Sequence, residues 1–151
     1  MNFHVRRAKE GDIEAIVDNV VKMAEEGSGT KLDREIVSAG VSSLFKKPEL
    51  GFYVVAELEK KIIGSLVIVF EWSDWKNGVR WWIHSVYVHS DHRRKGIYSG
   101  MYDYIKDEGQ RDESAIGLNL SVHKNNNNAR AVYEMLGMRK TSQVTYTDDS
   151  L

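Results

Sequence analysis

The chain contains no cysteine, which removes disulfides, thiol nucleophiles and cysteine-based zinc sites at once. It also lacks any apolar run near the ~20 residues that a membrane span requires, so no transmembrane helix is expected. Neither sign of charge dominates. Lys and Arg total 21 against 22 Asp and Glu, a formal net charge of −1, so no global field draws the chain onto nucleic acid, and an anion site has to be local. The opening residues Met1-Asn2-Phe3-His4-Val5-Arg6-Arg7 turn polar before a signal-type apolar region can form, which makes a cytoplasmic setting the expectation.

The chain does have enough length for one core. Its 151 residues, 42% hydrophobic and 28% charged, fit a single globular domain over residues 1–147 with a frayed acidic tail at 148–151. Phe3, Val5 and Ala8 read as a short opening strand, and Gly11-Asp12 offers a cap for a helix carrying Ile13, Ile16, Val17, Val20, Val21 and Ala24 at helical spacing. Gly27-Ser28-Gly29 breaks it. Asp33 caps a second helix that must end before Pro48, the only proline, because proline disfavours helix just upstream. Two strands, Gly51 to Glu57 and Ile62 to Phe70, flank the turn Glu59-Lys60-Lys61, and Asn77-Gly78 introduces a further strand from Arg80 to Val88. Period-two alternation puts Trp82, His84, Val86 and Val88 on one face and Trp81, Ile83, Ser85 and Tyr87 on the other. A helix from Gly96 to about Gly109, a strand from Ile116 to Val122, a helix from Ala129 to Leu136 and a last strand around Met138 to Tyr146 complete the order β-α-α-β-β-β-α-β-α-β. The expected class is α/β, a mixed sheet with about four helices on its faces.

The chemistry concentrates where the strand ending at Val88 meets the turn Arg93-Arg94-Lys95-Gly96 and the helix behind it. Such a junction aims unpaired N–H groups, the positive end of the helix dipole and cationic side chains at one point, which suits phosphate. It is not a Walker loop, since no Gly-Lys-Ser or Gly-Lys-Thr follows, and it has one glycine where a dinucleotide fingerprint has three. A basic surface turn is the plain alternative.

Three segments taken in order carry a closer likeness: Ser85-Val86-Tyr87-Val88-His89, Arg93-Arg94-Lys95-Gly96-Ile97-Tyr98-Ser99-Gly100, and Asn126-Asn127-Asn128-Ala129-Arg130-Ala131-Val132-Tyr133 continuing to Met138. Together they resemble the GNAT superfamily of N-acetyltransferases, and Val5-Arg6-Arg7-Ala8 with Asp12 resembles the usual start of such domains. The resemblance implies a splayed mixed sheet and acetyl-CoA as co-substrate. It also implies that Val86, Tyr87 and Val88 bind the pantetheine arm and acetyl group through the main chain. Arg93 and Gly96 fit the family's acyl-CoA loop, and the backbone of Arg94, Lys95, Gly96, Ile97, Tyr98 and Ser99 would hold the pyrophosphate. Tyr98 departs from the family's glycine or alanine, and its ring has to point away for the backbone to approach phosphate. Asn126 matches a family asparagine that bonds the cofactor arm, with a helix N-cap as the competing role.

Acetyl transfer to an amine needs an oxyanion donor, an acid for the departing thiolate and a base for the incoming ammonium. By the resemblance, the Val88 N–H is the oxyanion donor and Tyr133 the acid; a core aromatic at helical spacing is the other reading of Tyr133. The family's glutamate base corresponds here to Trp82, which accepts no proton. His84 and Glu71 are the remaining candidates, His84 because it shares the Trp82 face and titrates near neutrality, Glu71 because it ends a strand beside Trp72. A satisfied core histidine is the alternative for His84. Trp72, Trp75, Trp81 and Trp82 either line an acceptor pocket able to hold a cation or pack the core and hairpin. Glu25 and Glu26 read as solvated charges. His89 and His92 have metal-like spacing without a third ligand, so no metal is expected. With no cysteine and no activated serine, attack is direct in a ternary complex with an amine acceptor. A homodimer fits the family, and a GNAT-like module that senses acyl-CoA without turnover is the rival reading.

Overall fold

Two hairpins build the middle of the sheet in the computed structural model, which describes residues 2–151. β2 (Gly51–Leu58) and β3 (Lys61–Ser73) join through Glu59 and Lys60, both at positive φ (50° and 66°), a pair of left-handed residues that matches the twist of the strands. Asn77, at φ 49°, precedes β4 (Gly78–Val88), as its Asn-Gly dipeptide predicts. β1 (His4–Arg7) adds antiparallel to β2 and β5 (Ala115–Leu120) adds parallel to β4, which gives a mixed open sheet in the order β1-β2-β3-β4-β5.

Helices cover both faces of this sheet. On one side α1 (Ile13–Ser28) and α2 (Arg34–Phe45) close a core of Ile16, Val17, Val41 and Val55. The other side is covered by α3 (Ile97–Gln110), which buries Ile97, Met101 and Ile105 at every fourth position. Trp81 belongs to this second core, 1% exposed and edge-on to Phe52 at 5.3 Å. Asp33 caps α2 by accepting from the Glu35 N–H at 2.9 Å, and Gly29 at φ 69° ends α1. Asp12 does not cap α1 with its side chain. Its carboxylate accepts from both terminal nitrogens of Arg6, at 2.7 and 3.1 Å, and from the Lys9 N–H at 2.7 Å. Arg6 also reaches Glu57 at 2.7 Å, so the start of the chain is tied to β2.

The alternation expected along β4 fails at one place. His84 pairs with Val67 and Tyr87 with Ser65, so Leu66 alone stands opposite Ser85 and Val86, and Ser85 takes φ 51°. This β-bulge inserts one residue and inverts the face of everything after it. Tyr87 therefore lies on the α1 side with Trp82 and His84, and Val88, opposite Gly64, lies on the α3 side with Trp81 and Ile83.

The chain divides into two compact units, one running to Ser121 and one from Val122. The second contains α4 (Asn127–Met135), capped by the Asn126 side chain, which accepts from the Ala129 N–H at 3.1 Å, and closed by Gly137 at φ 93°. The strand expected around Met138 to Tyr146 is absent. Its Val144 and Tyr146 are 80% and 93% exposed, so the segment has neither a buried face nor a ladder to hold it extended.

The Arg6–Asp12–Glu57 cluster makes stability depend on pH. Its hydrogen bonds from Arg6 hold the Asp12 carboxyl below the ordinary carboxylate range despite burial. The stabilisation is thus complete above the unfolded carboxylate's range and is lost as pH falls through the depressed folded value. Asp12→Asn is expected to cost about 2 kcal/mol at pH 7 in urea unfolding. The gap to the wild-type protein should shrink below about pH 4.

Candidate active site

β4 and β5 stay paired only as far as Ile83, opposite Leu120. Beyond that rung β4 continues to Val88, with no strand beside it on the β5 side among the described residues. The parting begins at His84 and the bulge follows at Ser85. The main chain past the bulge sorts itself by ladder geometry. The His89 N–H bonds the Ile63 carbonyl at 2.9 Å, and because bonded and non-bonded pairs alternate in an antiparallel ladder, the Tyr87–Ser65 pair exchanges bonds while Val88–Gly64 does not. The backbone groups of Tyr87 are therefore engaged with β3. Those of Val88 turn outward, away from β3, its carbonyl accepting from Arg93 Nε at 2.8 Å.

The turn after β4 passes through a 3-10 segment, Ser90–His92, then Arg94 at φ 62° and Gly96 at φ 81°. Gly96 brings the chain abruptly into α3, where the Gly100 N–H is bonded to the Gly96 carbonyl at 2.9 Å. The amides of Ile97, Tyr98 and Ser99 lie in the first turn, ahead of any i−4 partner, and carry the positive end of the helix dipole. Ile97 buries its side chain against Gly64, whose added Cβ would lie 3.3 Å from it, and this contact pegs the helix end to the sheet. The Tyr98 ring leans along the helix to Tyr102, with 6.3 Å between centroids. Arg94 is exposed, and Lys95 donates to the Asp91 carbonyl at 3.1 Å.

The Arg93 side chain turns inward. Besides Val88 it donates to Glu26 at 2.7 Å, and its guanidinium lies 5.3 Å from the centre of the Tyr87 ring. Tyr87 donates its hydroxyl to the other Glu26 oxygen at 2.5 Å. The bonds from Tyr87 and Arg93 hold the Glu26 carboxyl below its ordinary range, while burial and the Glu26 contact push the Tyr87 phenol up. Glu26 is exposed, as its sequence position indicates, yet both of its carboxylate oxygens are engaged by neighbouring side chains.

A second buried chain lies alongside. Asn19, 1% exposed on α1, donates to Ser65 Oγ at 2.9 Å and faces His89 Nε2 through its carbonyl oxygen at 2.9 Å. Since the Asn19 amide is the donor to Ser65, its oxygen accepts, which assigns the His89 proton to Nε2. Burial, with nearby Lys22 adding to it, lowers the His89 pKa and keeps the ring neutral. Asn19 is missed by sequence reasoning although it interrupts the apolar stripe of α1 between Ile16 and Val20; a polar residue in a buried stripe is the signal that marks it.

Of the base candidates, His84 is exposed at the start of the parting, its ring parallel to Trp82 within 8° at 6.0 Å. Glu71 is exposed opposite Arg80, two rungs along the ladder from the Val69–Trp82 pair and four from Val67–His84. The four tryptophans do not form one group. Trp81 is core, Trp82 is half-buried with an indole N–H that has no partner among the described residues, and Trp72 and Trp75 are 63% and 94% exposed. Tyr133 lies on α4, half-buried, and burial raises its phenol pKa. Asn126 has its carbonyl oxygen in the α4 cap.

A strand edge freed by splaying, a bulge beside it and a glycine turn into a helix N-terminus define an α/β protein whose outward-facing main chain lies on an unpaired edge ahead of α3. The chain belongs to the GNAT family of acetyltransferases, whose family profile matches residues 15–138. It is similar over 100% of its length, and 99% of the other chain, to a possible acetyltransferase from Clostridium difficile 630, at 34% identity and a TM-score of 0.92. A predicted acetyltransferase from Clostridium acetobutylicum, solved with acetyl-CoA, shares the fold at 22% identity and a TM-score of 0.79, covering 97% of this chain and 96% of that one. Glucosamine-6-phosphate N-acetyltransferase from Arabidopsis thaliana does so at 18% identity and 0.77, covering 99% and 100%. No curated protein matches the chain.

Gly96 isolates the backbone requirement of this turn. An added Cβ would meet nothing within 4 Å, so the cost of a substitution comes from φ 81° alone. Gly96→Ala should destabilise the fold by about 1–2 kcal/mol, and Gly96→Asn by less, because asparagine tolerates the left-handed region. Thermal unfolding of the two variants checks the order.

Proposed function

We propose that the protein transfers the acetyl group of acetyl-CoA to a primary amine, on a small molecule or as an exposed amino group, by direct attack in a ternary complex. The observation that carries this reading is the outward-turned main chain of Val88 in the gap beside β4, followed by the Gly96 turn into α3. In this reading the carrier lies along the free edge of β4, with its pyrophosphate at the amides of Gly96 to Ser99 and the charge of Arg94 nearby. Lys95 contributes mainly backbone, since its ammonium is bonded to Asp91.

The reaction forms a C–N bond and breaks a C–S bond. The amine nitrogen adds to the thioester carbonyl, the Val88 N–H donates to the resulting oxyanion, and collapse expels the CoA thiolate, which takes a proton from the Tyr133 hydroxyl. Burial favours the protonated phenol, as an acid at neutral pH needs. His84 accepts the ammonium proton through a water before attack, and the second nitrogen proton, released as the amide forms, passes through solvent to restore the Tyr133 phenol. Its support over Glu71 is its place at the start of the β4–β5 parting.

Acetyl-CoA at a hundred times its dissociation constant should stabilise the fold by about 2.7 kcal/mol, visible as a thermal shift. Absence of a shift with both acetyl-CoA and CoA removes the reading. An amine panel then separates turnover from sensing: thiol release above hydrolysis supports transfer, and binding without release by any amine supports the sensing module. Within the transfer reading, Tyr133→Phe should lower kcat by about 10²-fold or more with acetyl-CoA affinity unchanged. Unchanged kcat eliminates Tyr133 as the acid.

A further inference from the structure

Two segments far apart in sequence meet at one carboxylate. Glu26, in the last turn of α1, receives Arg93 on Oε1 at 2.7 Å and the Tyr87 hydroxyl on Oε2 at 2.5 Å. Arg93 in turn holds the Val88 carbonyl at 2.8 Å. Tyr87 is only 7% exposed, and its hydroxyl emerges from the core at this carboxylate. Glu26 also lies one residue before Gly27-Ser28-Gly29, where the connection to α2 starts.

We propose that Glu26 is a positioning residue for the acyl-CoA site, bracketing α1, the end of β4 and the turn before α3 so that the Val88 main chain and the α3 N-terminus face the same carrier. The inference rests on the acyl-CoA reading above. The bracket gives Arg93 a different task from that of a phosphate ligand. Its guanidinium is directed at Val88, Tyr87 and Glu26, its charge is matched by the carboxylate, and the pyrophosphate is left to backbone amides and Arg94. The Arg93–Glu26 ion pair alone, with both side chains 44% exposed, is of the exposed kind that contributes little by itself. What distinguishes it is the closure through Tyr87 and Val88, which fixes the peptide groups on either side of the proposed oxyanion donor. Glu26 is not the proton acceptor in this scheme, since both its oxygens are engaged and the bonds from Tyr87 and Arg93 that lower its pKa make it a weak base.

Charge and geometry predict opposite signs, which makes the test sharp. Acetyl-CoA is polyanionic, so simple removal of a nearby negative charge tightens its binding. Loss of the bracket loosens it. Calorimetric titration with acetyl-CoA is run on the wild-type protein, Glu26→Ala, Glu26→Gln and, as a charge control, Glu25→Ala, whose side chain is exposed. In the expected result Glu26→Ala weakens binding roughly tenfold, on the scale by which small misplacements act. Glu26→Gln, which retains one acceptor and a donor at the same reach, recovers part of the loss, and Glu25→Ala matches the wild-type protein. The acetyl-CoA KM should rise in step, by more than the acceptor KM. Equal or tighter binding by Glu26→Ala overturns the proposal, as does a lowered Tm with unchanged affinity. If Glu26→Ala fails to fold, Glu26→Gln decides: affinity equal to wild type overturns the proposal, and an intermediate loss supports it. Failure of the wild-type protein itself to bind overturns the acyl-CoA reading instead.

Discussion

One extra residue in β4 governs the arrangement of the site. Because Ser85 and Val86 together oppose Leu66, the strand after the bulge presents the other face and a shifted set of backbone groups. Without the insertion, Tyr87 would point toward α3 and could not reach Glu26, and Val88 would turn its main chain into β3. The same region is where β4 leaves β5, so the free edge and the reorientation coincide. A serine at φ 51° is strained relative to glycine. The surrounding ladder, paired on both sides of the bulge, holds it there.

Around this edge the structure separates two kinds of interaction. The hydrophobic work is done by helices on both faces, through Ile16, Val17 and Val41 on one side and Ile97, Met101 and Ile105 on the other, and it locates the backbone to the required tolerance. Polar chains then fix the details: His89–Asn19–Ser65 beneath the end of β4, and Tyr87–Glu26–Arg93 beside it. Both chains pass through α1, the first joining β3 to the residue after β4 and the second joining β4 to the turn after it. A helix that sequence periodicity describes as a core element is also the part that orients the site.

The elements were legible because each carries a local signal. Asp33 caps α2, Asn77-Gly78 turns into β4, and Gly96 opens α3, as the residue types predict. The bulge was not legible, since Ser85 and Val86 are ordinary strand residues and the insertion exists only relative to the partner strand. The contacts of Glu26 and Arg93 were hidden for a related reason. A glutamate at a helix end and an arginine in a basic turn look solvated until the fold sets them within 2.7 Å of each other. The missing last strand shows the reverse failure: Met138 to Tyr146 has residues compatible with a strand, and no strand among the described residues pairs with it.

In the proposed function the free edge of β4 and the first turn of α3 together hold the acyl carrier. Amide hydrogen exchange with and without saturating acetyl-CoA tests this at the groups concerned. Slowed exchange is expected at Val88 and at Gly96 to Ser99, with the β2–β3 turn at Glu59 and Lys60 unaffected. Exchange at Val88 and the α3 N-terminus that does not change while acetyl-CoA is bound would contradict it.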